Sequence, residues 1–468
     1  DMTRDGLNAF VDQYASSSVT HLFLCPNAMR ASFRSRTRDA IWDAVAGVEP
    51  HDRWPQNAKL LHASGLDPYA VWIDRCREKG ISPWLSMRMN DIHSVDEPGH
   101  FMHSSFWCEH PELWRVSNGT ASPWQNRAMN YAHEAVRAHQ MAFVDELLER
   151  YDVDGIELDW MRFGYHLTPG KERDEADILT RFVGAVRKRV DVRSRERGHP
   201  LQLSVRVPSH PDAAAGLGLD AVLWAREGWV DMVVPCPFWS SSDFDIPVEL
   251  WKQRLGPAID TVRVIPGVEH NARPWPSGAA VANTLESLYG FAASARFRGA
   301  DGLYLFNWMD SETRPVVAAD YRHLISTGLS DAVVLRRGRR HPVCYRDTVP
   351  PGVSSGVCLP VEAPTGGVFT IHIGPKPGGG KACVVVGLGP RDLVKEARLN
   401  AGVNGVALDG FGDTIDLNGI GGGAVRAVSF ACPVAHLVDG VNQVDIAQSA
   451  GAAQQIVWVE MRIDRPSD

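Results

Sequence analysis

The sequence predicts an α/β protein, with a (β/α)8 (TIM) barrel over residues 1–335 and an antiparallel β-sandwich over residues 343–468. Short apolar runs alternate with amphipathic helical patterns through about residue 330, and eight such runs occur. This alternation indicates parallel strands, and a count of eight suggests a closed barrel. Beyond residue 335 the helical patterns stop and Gly-punctuated strand patterns follow, which is typical of an antiparallel sandwich.

The eight short apolar runs are the predicted strands of the barrel. They span residues 20–27, 82–91, 126–132, 154–163, 201–209, 231–239, 262–270 and 302–308. A doubly wound open sheet is the alternative arrangement of the same strands.

Four amphipathic patterns between these runs predict helices. In HEAVRAHQMAFVDELLERY (133–151) the apolar residues recur at helical spacing on one face. Similar patterns cover residues 175–190, 218–228 and 283–297.

The basic stretch RRGRRHP (336–342) is the predicted linker between the two domains. Six strand patterns follow it, at residues 367–374, 381–389, 397–409, 426–433, 441–448 and 455–463. Within them HLVDGVNQVDI (436–446) resembles a pattern of jelly-roll domains, so we expect a jelly-roll-like sandwich.

Composition excludes several classes of protein. An apolar fraction of 44% and a charged fraction of 22% are typical of a folded globular chain. A net charge of −8 argues against a nucleic-acid partner, and no apolar run is long enough to cross a membrane. The opening DMTRDGLNAF lacks the pattern of a signal segment, and cellular location stays open.

No cofactor is expected from the motifs that the sequence contains. The eight cysteines include no CxxC pair, so a structural metal site is not expected. G-x-G-x-x-G and P-loop motifs are also missing, which argues against nucleotide cofactors.

The run DGIELDWM contains the strongest candidate for chemistry. Side chains alternate along a strand, so Glu157 and Asp159 share one face. Barrel active sites lie where the strands end at their carboxyl edge. Two carboxylates that point into a barrel are costly unless they are paired or functional, so we expect a catalytic role or, alternatively, an ion-pair role.

This run resembles the strand-four signature of family 18 glycosidases, D-G-x-D-x-D-x-E. The matching residues are Asp154, Gly155, Asp159 and Trp160. Met161 stands where that family has its proton-donating Glu, and this departure argues against chitinase chemistry.

Residues 5–330 are more similar to the bacterial "family 10-like" glycosyl hydrolase barrels, whose fourth strand reads like D-G-I-x-L-D-x-x-R. That resemblance implies a TIM-barrel glycosidase. It also implies a catalytic or substrate-holding role for Asp159, with Arg162 at the rim of the site.

Glycosidases need two carboxyl groups, one on each side of the scissile bond. Asp159 is the first candidate. Glu269 ranks first for the second role, because it ends a predicted strand, and Asp243 and Asp91 are the other candidates. Glu157 is too near Asp159 in sequence to act from the opposite side, and we expect it to influence Asp159 by like-charge proximity.

Arginines accompany the candidate carboxylates. Arg88 and Arg206 lie on polar strand faces, while Arg30 and Arg162 follow strands. Buried arginines must be paired, so they either neutralise the acidic residues or bind an anionic sugar in bidentate fashion.

The remaining candidates are residue types common in sugar pockets. Amide side chains bind hydroxyl groups, aromatic faces stack on pyranose rings, and a histidine can transfer a proton. The candidate substrate-binding residues of these types are Asn27, Asn90, His210, Trp239, Asn307 and Trp308.

Together these features predict a glycoside hydrolase that acts on a glycan by carboxylate acid/base catalysis at the carboxyl edge of the barrel. The arginines suggest an anionic sugar, namely a uronic, sialic or sulfated one. The alternatives are a non-catalytic glycan-binding barrel and a lyase or isomerase of acidic sugars. The oligomeric state stays open.

Overall fold

The computed structural model describes residues 2–44, 53–121, 123–238, 240–308, 318–389 and 397–464. The chain divides into two compact units. The first comprises Asp1–Val234 and Arg254–Val262, and the second comprises Pro235–Gln253 and Arg263–Asp468.

A parallel sheet forms the centre of the first unit. Its strands are β1 (His21–Leu24), β2 (Ser82–Arg88), β3 (Gly155–Asp159), β4 (Gln202–Val207) and β5 (Met232–Pro235), and they lie in this order. The pairs β1–β2, β2–β3 and β3–β4 are parallel. The predicted α/β class with parallel pairing is therefore confirmed.

Apolar side chains cover one face of this sheet. Leu85, Ile156 and Leu203 lie in one cross-strand row and are almost completely buried. Gly155 permits a close approach of the next strand, because a Cβ atom there would lie 2.4 Å from the ring of Trp84. The strand interior therefore requires glycine at this position.

Helices occupy the sequence before and between these strands, as the alternating pattern predicts. They are α1 (Arg4–Asp12), α2 (Arg53–Ala63), α3 (Pro68–Glu78), α4 (Ser105–Glu109), α5 (Glu134–Arg150), α6 (Ala176–Arg197), α7 (Pro211–Gly216) and α8 (Ala221–Arg226). The apolar face predicted for α5 is buried, including Val136, Phe143 and Leu147. None of the helices in the described ranges is long and apolar enough to span a bilayer.

The predicted strand at 126–132 is wrong. Residues Trp124–Arg127 form a 3-10 helix, and the following residues form a loop with one isolated bridge, Trp114 to Met129. Amide side chains hold this loop: Asn90 bonds both to the N–H and to the carbonyl of Met129, and Asn130 accepts from the N–H of Ala132. Backbone groups that a strand ladder would use are thus taken by side chains.

The other seven predicted runs contain strands, but those near residues 262–270 and 302–308 contain only short ones. The second unit contains α9 (Val248–Leu255, which extends into the first unit), β6 (Arg263–Val264), β7 (Gly267–Val268), β8 (Asn271–Ala272), β9 (Val281–Ala282), α10 (Leu285–Phe297), β10 (Tyr304–Leu305), α11 (Ala318–Thr327) and α12 (Asp331–Val334). Strands β7 and β10 pair in parallel, and β8 and β9 pair antiparallel.

The C-terminal strands form the two antiparallel sheets of a β-sandwich. They are β11 (Arg339–Pro342), β12 (Val361–Glu362), β13 (Gly367–His372), β14 (Ala382–Leu388), β15 (Arg398–Val403), β16 (Val406–Ala407), β17 (Asp413–Ile415), β18 (Arg426–Cys432), β19 (Val441–Ala450) and β20 (Gln455–Ile463). One sheet has the order β11-β20-β14-β18-β17, with β12 also on β20, and the other has the order β13-β19-β15-β16. Apolar residues of both sheets form one buried cluster, as expected for a sandwich.

The basic stretch 336–342, predicted as a linker, contains strand β11. Arg340 donates to both carboxylate oxygens of Glu460, which is completely buried on β20. Helix α10 also approaches β11 closely, because a Cβ atom on Gly290 would lie 2.1 Å from the carbonyl oxygen of Arg340. Pairing and packing therefore make these basic residues part of a sheet.

Candidate active site

Strands β2, β3 and β4 place two rows of polar side chains side by side at the carboxyl end of the parallel sheet. Residues that share a register on neighbouring parallel strands face the same side of the sheet. The outer row is Arg88–Asp159–Arg206, and the row two residues deeper is Ser86–Glu157–Ser204.

Asp159 is held by an ion pair and by backbone donors. Arg206 donates from Nε to Oδ1 at 2.8 Å and from Nη2 to Oδ2 at 2.9 Å, which is a bidentate pair. The N–H groups of Met161 and Arg162 also donate to Oδ1, at 3.0 and 2.9 Å. Arg206 is 0% exposed and Asp159 is 2% exposed. Asp159 therefore forms the ion pair that is the alternative to a catalytic role.

Glu157 lies deeper and accepts from two serines. Ser86 Oγ donates to Oε1 at 2.7 Å, and Ser204 Oγ donates to Oε2 at 3.2 Å. Glu157 is completely buried, so it has no surface to offer a ligand. Its position beside the Asp159 row suits an influence through charge.

A series of hydrogen-bonded side chains continues from this row past the ends of β2 and β3. Arg88 Nη1 donates to Asp91 Oδ2 at 2.7 Å, and His93 Nδ1 lies 2.7 Å from Asp91 Oδ1. His93 Nε2 lies 3.1 Å from Arg162 Nη2. Burial alone would raise the pKa of Asp91, but His93 and Arg88 hold that pKa well below its ordinary value.

The accessible edge of this cluster carries two arginines. The side chain of Arg88 is 16% exposed and that of His93 is 29% exposed, whereas Asp91 is buried. Arg162 is also partly exposed. Burial, and then repulsion from Arg88, lowers the pKa of Arg162 to about 10, while Asp91 and Asp159 act in the opposite direction.

The predicted amides Asn27 and Asn90 bond to the backbone. Asn27 Nδ2 donates to the carbonyl of Arg88 at 3.1 Å, and Asn27 Oδ1 accepts from the Arg88 N–H at 3.2 Å. Asn90 joins Met129 and Tyr165 in the same way. Both residues are buried, so they hold the ends of β1 and β2 rather than face solvent.

Arg30 and His210 have local structural contacts. Arg30 Nε donates to the carbonyl of His103 at 2.8 Å, and its Nη1 lies 3.5 Å from Asp39. His210 is the N-terminal cap of α7, where Nδ1 accepts from the N–H of Asp212.

Glu269 lies in the second unit, within a compact polar cluster. Asn307 Nδ2 donates to Oε1 at 2.9 Å, and the N–H of His270 donates to Oε2 at 2.6 Å. Ser242 and Asn283 bond to the Glu269 backbone. Glu269 is completely buried.

Strain and stacking mark the residues next to Glu269. Asn307 has a φ of 60°, in the left-handed region that non-glycine residues adopt rarely and that often marks functional sites. The Trp308 ring stacks on His270 with centroids 4.9 Å apart. Trp308 is itself buried, and Trp239 lies outside the described residues.

Asp243, also in the second unit, pairs with an arginine from the start of the sandwich sequence. Arg346 Nε lies 3.1 Å from Asp243 Oδ2, and Asp245 N–H donates to Oδ1 at 2.9 Å. Both residues line a cavity of ≈ 220 Å³ between this segment and strands β11 and β13.

Sequence reasoning missed four residues of these clusters, His93, Ser242, Asn283 and Arg346. The Asp91–x–His93 spacing was an available signal, because it lets the imidazole turn back onto the carboxylate. The other three come from distant segments and carry no local signal. Within the described ranges, no group of three or more His, Cys, Asp or Glu residues could hold a metal ion.

Comparisons with known proteins find loose similarity to glycoside-acting enzymes. No protein-family model matches the chain. No curated protein matches it either. The chain is similar to a cycloisomaltooligosaccharide glucanotransferase of Paenibacillus sp. at 11% identity and a TM-score of 0.35, covering 98% of this chain and 55% of that one.

Two further solved structures show the same level of similarity. An alpha-L-fucosidase of Paenibacillus thiaminolyticus is 13% identical with a TM-score of 0.41, covering 65% of this chain and 42% of that one. An endo-beta-1,4-mannanase of Thermotoga petrophila is 10% identical with a TM-score of 0.39, covering 97% and 92%. The chain thus spans about half the length of the first two structures.

Proposed function

We propose that this protein is a glycoside hydrolase that acts on a glycan with an anionic sugar. The proposal includes a barrel scaffold related to the bacterial "family 10-like" enzymes. One observation carries it: buried carboxylates and arginines occupy neighbouring strand ends, and the partly exposed residues of that cluster are Arg88, His93 and Arg162.

Asp159 suits electrostatic stabilisation better than proton donation. Glycoside hydrolysis passes through an oxocarbenium-like transition state with developing positive charge. A carboxylate that accepts four hydrogen bonds is preorganised to face such a charge, and it needs no rearrangement during the reaction.

Glu269 is the proposed second carboxylate. Asn307 and the His270 N–H fix both of its oxygens, and the strained backbone of Asn307 supports a functional role for the cluster. Glu157 and Asp243 are the lower-ranked candidates, since Glu157 lies only two residues from Asp159 on the same strand face and Asp243 is paired with Arg346.

Two partly exposed guanidinium groups support an anionic substrate. A bound carboxylate or sulfate can accept hydrogen bonds from Arg88 and Arg162, which are both partly exposed at the edge of the cluster. Arginine presents a planar fork that matches such an anion in bidentate fashion, which lysine cannot do.

Turnover of chromogenic glycosides and acidic polysaccharides tests the proposal. Arg88→Lys and Arg162→Lys keep the charge but remove the fork, and we expect at least one of them to lower kcat/KM about tenfold. Arg181→Lys, on the exposed face of α6, is the matched control and should act like wild type. Equal turnover of a substrate and its carboxyl-reduced analogue by wild type would refute the anionic part.

A non-catalytic glycan-binding protein is the second candidate. It is favoured by the saturation of the carboxylates, because Asp159 is bidentately paired and Glu157 is inaccessible. Saturable glycan binding by the full chain without turnover of any substrate would select this function over hydrolysis.

A further inference from the structure

His93 connects two charged side chains at the accessible edge of the Asp159 cluster. Its Nδ1 lies 2.7 Å from Asp91 Oδ1, and its Nε2 lies 3.1 Å from Arg162 Nη2. The backbone N–H of Arg162 in turn donates to Asp159 at 2.9 Å. The imidazole therefore contacts the side chain of Arg162. The backbone of Arg162 in turn binds Asp159, the candidate catalytic carboxylate.

The two partners determine which nitrogen of His93 carries the proton. A guanidinium group only donates hydrogen bonds, and an ionised carboxylate only accepts them. Nδ1 must therefore carry the hydrogen toward Asp91, and Nε2 must accept from Arg162. Burial also lowers the pKa of His93, which agrees with a neutral ring at neutral pH.

The ring itself has little freedom. The backbone N–H of His93 donates to the same Asp91 oxygen at 3.0 Å, and His103 Nε2 lies 3.1 Å from the His93 carbonyl oxygen. The ring of Phe163 packs against the imidazole edge-on, with centroids 4.8 Å apart. Because the imidazole is fixed in place, its Nε2 atom can hold the Arg162 guanidinium in one orientation.

We propose that His93 is a positioning residue that orients the Arg162 guanidinium toward an anionic ligand. This inference rests on the function proposed above. An unrestrained arginine loses rotamer freedom when it binds a ligand, and prior orientation removes that cost. His93 would thus determine specificity for the anion through Arg162, without touching the ligand.

Two substitutions separate the roles of the two ring nitrogens. In His93→Asn the amide nitrogen can still donate to Asp91, but nothing replaces the acceptor at Nε2. In His93→Gln the amide oxygen reaches the Nε2 position and can accept from Arg162, while the donor to Asp91 is lost. A purely structural role would depend on packing, so it would not favour Gln over Asn in anion binding.

The first measurement is the tautomer of His93 in the full chain. Long-range 1H–15N NMR of 15N-histidine-labelled protein, assigned with His93→Asn, should show a protonated Nδ1 and an unprotonated Nε2 at pH 7. Arg162→Met should shift the Nε2 resonance. An Nε2–H tautomer, or no shift on removal of Arg162, overturns the inference.

The second measurement is the binding of D-glucuronate, with D-glucose as the neutral probe. His93→Asn should weaken glucuronate binding about tenfold, the loss of one charge-assisted contact, and His93→Gln should stay within about threefold of wild type. Equal effects of both variants, in proteins with unchanged thermal midpoints, overturn the inference. Failure of wild type to bind glucuronate refutes a uronate as the anionic ligand instead, and the tautomer then decides the question of His93 and Arg162.

Discussion

Replacing Asp159 with asparagine would leave the buried guanidinium of Arg206 without its bidentate partner. The amide oxygen of Asn, placed at the Oδ1 position, can still accept from the N–H groups of Met161 and Arg162 and from Arg206 Nε, so those three hydrogen bonds persist. The amide nitrogen, however, would point a donor at Nη2 of Arg206, which is 0% exposed. Removal of one partner from a buried ion pair costs about 3–5 kcal/mol, and the three retained bonds place Asp159→Asn at about 3 kcal/mol.

Urea unfolding of the full chain, followed by tryptophan fluorescence, measures this loss. Trp84 and Trp160 are buried close to the strand rows and report on the first unit. Asp177→Asn is the matched control, because Asp177 and Arg181 are 66% and 69% exposed. An exposed pair contributes about 0.5 kcal/mol or less, so the control should unfold almost like wild type.

A double substitution tests whether the cost comes from the lost charge pairing between Asp159 and Arg206. Asp159→Asn with Arg206→Met removes both charges, and it should recover part of the stability lost in Asp159→Asn alone. If Asp159→Asn unfolds within about 1 kcal/mol of wild type, the buried pair does not hold this sheet together. Any loss of activity in this variant must be measured on folded protein.

Three further predictions concern other parts of the chain. Glu269→Gln should lower kcat by about 10²-fold or more on any substrate that wild type hydrolyses, the usual scale of acid–base catalysis. Gly290→Ala should destabilise the second unit by about 1–3 kcal/mol in thermal unfolding, because its Cβ would meet the Arg340 carbonyl, whereas Gly378→Ala, where no atom lies within 4 Å, should not. The pKa of Asp91 is depressed in the folded state, so its contribution to the free energy of unfolding is present above about pH 4 and is lost as pH falls below that value. Asp91→Asn should therefore make the free energy of unfolding depend less on pH in the acid range than it does in wild type.

The strands and the faces of their polar side chains could be predicted from the sequence because both follow from a local period of two. Glu157 and Asp159 share a face for this reason, and so do Ser204 and Arg206. The partner of each residue depends on the register between strands, which is a non-local property. The pairing of Arg206 with Asp159 therefore appears only in the folded chain.

The failed strand at 126–132 shows the limit of apolar pattern. It is a short apolar run like those of the true strands, but Asn90, which lies far away in sequence, takes the backbone groups of Met129. His93 was overlooked for a related reason. Its partners are a carboxylate two residues away and an arginine from another strand end, and the arginine cannot be assigned from the local sequence.

The two polar rows also bear on how the chain avoids misaligned sheets. Strands buried on both faces by similar aliphatic residues can slide along one another at little hydrophobic cost. A slip of β3 by two residues would keep every side chain on its proper face, yet it would set Glu157 opposite Arg206 and remove Asp159 from that row. The Ser204 level would then lose its carboxylate, and the bidentate pair would be broken. The two rows thus favour one register of the strands. A change of Asp159 or Arg206 alone would weaken that preference, whereas a joint change to another matched pair could keep it.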